Sequence, residues 1–201
     1  MIELGKFNKL EILRHTSVGL FLGTGEHSGI LLPNKYVPKD YNIGDVLTVF
    51  CYLDYDERPI ATTLEPAIIV NEFQLLKVIE VNEFGAFMDW GLEKHLLVPF
   101  REQRNKMREG QWYVVYCYLD ERSNRLVASN KLEKFLSNEE LTVRVWEEVD
   151  LIVTRKTDLG WEVIVNTVSD THLRAHETRY VIAYAVFCLN RGGGGGGGGG
   201  G

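Results

Sequence analysis

"LKVIEVNEFGAFMDWGLEKHLLVP", Leu76 to Pro99, can be laid without a gap over "LEILRHTSVGLFLGTGEHSGILLP", Leu10 to Pro33. The same offset carries Gly44 onto Gly110, and "CYLD" at Cys51 to Asp54 onto "CYLD" at Cys117 to Asp120. One residue is then inserted, so that "IATT" (Ile60 to Thr63) meets "VASN" (Val127 to Asn130), as a hairpin loop of variable length would require. The chain therefore contains an internal repeat, and its fold follows from what one copy can form.

Within each copy, short apolar stretches such as "KVIEV", "GAFMDW", "HLLVP", "WYVVYCYL" and "RLVAS" are separated by turn residues. Their β-branched and aromatic content favours strands over helices. Five such strands in about sixty residues fit a small closed barrel. "REQRNKMREG", Arg101 to Gly110, is expected to make a helical turn between the third and fourth strands. Lys131 to Glu140 carries Leu132, Phe135 and Leu136 at helical spacing and is expected to be a short linker helix. A third copy begins at Val149, where Leu159 and Gly160 take the places of Phe84 and Gly85. Only two of its strands follow, too few to close a barrel, so exposed edges and poor order are expected there. The domain reading is 1–64 and 65–130 for two barrels, 131–145 for the linker helix, 146–166 for a truncated third copy and 167–201 for a disordered tail.

That tail has its own explanation. Residues 192 to 201 are all glycine, a composition that buries nothing. "VSDTHLRAHET", Val168 to Thr178, resembles the in-frame translation of a transposase-type library adapter with a single base change at Asp170. "IAYAVFCL", Ile182 to Leu189, resembles a second adapter string. His172, His176 and Glu177 come near a zinc-peptidase pattern. Two adapter matches in order, followed by glycines, outweigh that metal reading, and the authentic chain is expected to end near Asn166.

Apolar residues make up 45% of the chain and charged residues 25%, which is the balance of a globular protein. Neither a run of about eighteen apolar residues nor a secretory signal stands out, so a cytoplasmic location without membrane association is expected. Cys51, Cys117 and Cys188 lack metal-like spacing, and the first two fall in strand-like runs, as buried reduced thiols would. The net charge of −6 argues against gripping duplex DNA by bulk electrostatics. His15, His27 and His95 are scattered, with no spacing for nucleophilic catalysis, so neither an enzyme nor a cofactor is expected.

The stretch "NEFGAFMDWG", Asn82 to Gly91, poses the functional question. Strict alternation along a strand would put Phe84 and Phe87 on opposite faces, and a bulge at Gly85 would bring both rings to one side. The residues by themselves leave core packing and a surface platform open.

The pattern from Val81 to Ser129, with its "EFGAFMDWGLEKHLLVP" and "YLDERSNRLVAS", resembles an S1-type RNA-binding domain, a version of the OB fold. Met1 to Asn166 as a whole resembles the N-terminal part of the bacterial conserved virulence factor B family, known for tandem S1-like domains followed by a winged helix. The resemblance implies an all-β protein of tandem five-stranded OB/S1-like barrels with short helical connections. It also implies single-stranded RNA as partner, within the wider class of nucleic acids, and a regulator of gene expression. Bases would stack on Phe84 and Phe87, with Lys94, Arg101 and Arg125 as phosphate or sugar contacts and Asp120 beside the last hairpin. Trp90 is a secondary candidate that packing beside the Gly91 turn would also explain. Arg101, Arg104, Lys106 and Arg108 would equally make a solvated face with Glu102 and Glu109. The histidine common in S1 domains is replaced by Val98, and by Leu32 in the first copy. Val18 replaces the first aromatic there, so the first copy is expected to be the weaker binder. The reading from another class is a protein-interaction or spacer module.

Overall fold

In a computed structural model, residues 2–24, 29–136, 151–157 and 160–165 are described. Strands β1 (Phe7–Thr16), β2 (Gly19–Gly23), β3 (Ile30–Pro33), β4 (Val46–Leu53) and β5 (Pro59–Thr62) close one barrel in the order β1-β2-β3-β5-β4. Strands β6 (Phe73–Asn82), β7 (Gly85–Asp89), β8 (Leu96–Pro99), β9 (Trp112–Asp120) and β10 (Arg125–Ser129) close a second. The second repeats the first: the parallel pairing in each, Leu31 with Ile60 and Leu97 with Val127, falls at matching positions of the repeat. The protein is all-β, as expected. The long first strand of each barrel turns the corner at a bulge, between Ile12 and Arg14 in β1 and between Val78 and Glu80 in β6. Closure of so small a barrel needs such a local bend.

The helical connections are shorter than expected. The turn between the third and fourth strands is a 3-10 turn, Phe100–Glu102, and the chain after it is irregular. Of the linker helix expected over Lys131–Glu140, the described part holds one 3-10 turn, Leu132–Lys134, and residues 137–150 lie outside the described residues. Three consecutive residues suffice for i, i+3 hydrogen bonding but not for an α-helix. The third copy contributes a hairpin, β11 (Leu151–Thr157) with β12 (Gly160–Val165), which repeats the first-strand bulge between Val153 and Arg155. It is anchored to the second barrel: Ile164 is buried with Val114 and Leu132. Leu159, Cys188 and the tail 167–201, including His172, His176 and Glu177, lie outside the described residues.

Packing between the barrels follows from the unbroken apolar run of β4. Val49 and Cys51 point into the first barrel's core. Phe50 and Tyr52, on the other face of the strand, join the core of the second barrel around Trp90. A strand buried on both faces has no reason to alternate, which is why "VFCYL" reads as continuous. Trp90 is 2% exposed and stands edge-on to Phe50 and Tyr52, with centroids 5.8 and 6.4 Å away. Cys51 and Cys117 are free and buried, and burial pushes the pKa of each thiol up to about 12.

Candidate functional site

Phe84 and Phe87 line the same groove, but not by the expected route. The bulge is in β6, and Gly85 is the first residue of β7, paired with Asn82. Phe84 sits in the two-residue turn before it, where its side chain escapes the alternation that governs Phe87. Asn82 holds the turn in the manner of an Asx turn, its Oδ1 accepting the Phe84 N–H at 3.0 Å. Phe84 is 64% exposed and Phe87 is half-buried.

The groove has a volume of about 410 Å³ and lies between the barrels. Its second-barrel wall includes Phe84, Phe87, His95 and Arg125, and Tyr52, Leu53 and Tyr55 of the first barrel form the other side. Volumes of this order suit small ligands or parts of larger ones. Trp90 forms part of the lining, yet its burial makes it a foundation and not an exposed platform; its Nε1–H donates to the Lys94 carbonyl at 2.6 Å.

Lys94 also lines the groove, and its ammonium ties the barrels together. Nζ donates to the carbonyls of Leu53 and Asp54 at 3.0 and 2.6 Å. Burial lowers its pKa, against the opposing pull of the Asp54 carboxylate. Two of three ammonium donors are thereby committed to the first barrel. Arg125 begins β10 and pairs its guanidinium with Glu57 of the first barrel.

Arg101 and Asp120 do not line the groove. The exposed Arg101 lies 4.0 Å from the Asp120 carboxylate, at the outer limit of an ion pair. Asp120 shapes the β9–β10 hairpin: its carboxylate accepts the Ser123 hydroxyl at 2.6 Å and its carbonyl accepts the Asn124 N–H at 2.7 Å. In the cationic run, Arg104 faces Glu133 at 4.0 Å. Among the described residues no group of three or more His, Cys, Asp or Glu could hold a metal ion. No helix of the described residues is long and apolar enough to cross a membrane.

The first barrel lacks this arrangement. Val18 stands exposed where Phe84 is in the second, and the Phe21 ring, matching Phe87, is covered by the Arg14 guanidinium at 4.5 Å from its centroid. In the second barrel the residue paired with the ring is Glu80. Val98 and Leu32, at the place of the S1 histidine, are fully buried. Sequence reasoning missed Tyr55, Glu57 and Glu80. Tyr55 and Glu57 belong to the other copy, and a repeat alignment shows which residues are equivalent, not which face each other.

The sequence profile described as "S1 domain" matches residues 4–64 and again 72–131. The "Uncharacterized protein YitL" of Bacillus subtilis (strain 168) is 39% identical over 90 residues, a stretch that covers 44% of this chain and 30% of that protein. A crystal structure from Streptococcus pneumoniae TIGR4, described as a multidomain protein with nucleic acid binding domains, superimposes with a TM-score of 0.55 at 19% identity. That match covers 81% of this chain and 59% of the other, so the chain spans under two thirds of either relative. The structural likeness concerns the fold.

Proposed function

The chain belongs to the S1 domain family, and from that premise we propose that it binds single-stranded RNA through its second barrel, with bases stacked on Phe84 and Phe87. The observation that carries the reading is the pairing of an exposed and a half-exposed phenylalanine on one open groove that also holds Arg125 and Lys94. Base–aromatic stacking contributes on the order of 1–3 kcal/mol per base and tolerates any base, since each has a π-face. Two such rings give useful affinity on a protein whose net charge is −6. Arg125 is the principal phosphate contact and Lys94 a secondary one, because its donors are already engaged. Arg101 meets the backbone beyond the groove, and Asp120 holds the hairpin from which Arg125 departs.

The cellular role we attach to this binding is post-transcriptional or gene-expression regulation in the cytoplasm, without a catalytic step or a cofactor. The Streptococcus pneumoniae neighbour is described as carrying nucleic acid binding domains, which supports the choice of ligand class. Titration with labelled single-stranded RNA at two salt concentrations tests the reading. Absence of binding returns the module to the class of protein-interaction or spacer domains.

A further inference from the structure

Resting on the reading above, we propose that the site is composite: the first barrel's β4–β5 hairpin supplies Tyr55 as a third stacking ring, and its Glu57 holds Arg125 until an RNA phosphate displaces it. Tyr55 is 72% exposed yet lines the same groove as Phe84 and Phe87. Its hydroxyl donates to the Glu93 carbonyl of the second barrel at 2.9 Å, which fixes the ring without covering it. A ring fixed in this way loses little freedom when a base settles on it. The hairpin beneath it is itself locked. Arg58 donates from Nε and Nη2 to the Asp54 carboxylate at 3.0 and 2.9 Å, and Asp54 and Arg58 close the backbone turn at 2.9 Å.

The two copies differ at the residues this proposal uses. In the first, the hairpin arginine is spent on its own hairpin's aspartate; in the second, the matching Asp120 bonds Ser123, and Arg125 reaches across to Glu57 instead. Tyr55 has no aromatic counterpart, because Glu121 follows the second "CYLD". The Arg125–Glu57 pair is about half exposed on both sides, 47% and 52%. Pairs so exposed are weak, whereas a phosphate offers the guanidinium two charged oxygens in the geometry it prefers. A carboxylate in the groove therefore keeps Arg125 oriented at little cost and yields to a stronger anion.

The test uses the full 201-residue chain and a fluorescein-labelled oligouridylate of about 12 nucleotides, within the span of an OB-type site. Tyr55→Ala should weaken binding at least about fivefold, the low end of one lost stacking contact. Tyr55→Phe keeps the ring, loses only the Glu93 contact, and should stay within about twofold. Glu57→Gln should tighten binding about two- to fivefold, the range of an exposed ion pair. Thermal melts of each variant check the fold. Wild-type affinity in Tyr55→Ala, or an equal loss in Tyr55→Phe, overturns the stacking role, and no gain in Glu57→Gln overturns the exchange at Arg125. If Phe84→Ala/Phe87→Ala loses binding while the first-barrel variants do not respond, the second-barrel reading stands and the composite site falls. A wild type that binds no RNA removes both.

Discussion

The carbonyl oxygen of Val98 lies 2.3 Å from where a β-carbon on Gly85 would stand. The same relationship recurs in the first barrel, where the Leu32 carbonyl is 2.1 Å from that position on Gly19. Both glycines have φ near +150° and both open the second strand of their barrel, where it crosses closely over the third. The glycine of "FGAF" is thus a requirement of the barrel, and the aromatic before it is the variable residue.

Gly85→Ala should therefore cost about 3 kcal/mol or more, because backbone, not a flexible side chain, must yield. Gly110→Ala is the internal comparison. Its β-carbon would meet nothing within 4 Å, so only the strain of φ +76° remains, about 1–2 kcal/mol. Chemical denaturation of the two variants beside wild type separates these contributions.

Trp90 couples the barrels, since it packs on Phe50 and Tyr52 from the first and belongs to the second. Trp90→Ala should destabilise by about 3–5 kcal/mol. It should also split unfolding into two steps visible by calorimetry. Trp90→Phe keeps most of the volume and loses the Nε1–H bond to Lys94, at about 1 kcal/mol.

Glu102 gives the fold an acid sensitivity. Burial raises its pKa, but the Ser129 hydroxyl at 2.8 Å and the Lys134 ammonium at 3.0 Å outweigh burial and leave it below the ordinary carboxylate value. A lowered folded value means that the unfolded state takes up the proton first. The contribution is present above the unfolded value and disappears as pH falls through the folded one. Stability should drop below about pH 4.5, and Glu102→Gln should flatten that part of the profile while lowering stability at neutral pH. Urea melts across acidic pH measure both.

The barrels were legible because repeated turns and apolar strands are local signals, and the repeat supplied them twice. The register of the functional rings was not. Reading Asn82–Asp89 as one strand assigned the change of side to a bulge at Gly85, whereas a turn at Glu83 and Phe84 achieves it. The expected helices over Arg101–Gly110 and from Lys131 shrank to single 3-10 turns because Glu102 and Leu132 are held by contacts to Ser129 and Ile164, which no helical spacing announces. Lys94 and Arg125 could be named as cations from the family resemblance. That both turn to the first barrel depends on how two copies dock, and docking leaves no periodicity within either copy.

The central claim is that Phe84 and Phe87 form a platform for single-stranded RNA. Fluorescence anisotropy of labelled single-stranded RNA with wild type and Phe84→Ala/Phe87→Ala, each confirmed folded, tests it most directly. Loss of two stacking contacts at about 1–3 kcal/mol each predicts a drop in affinity of about thirtyfold or more, with modest dependence on salt. Equal binding by the double variant and wild type would contradict it.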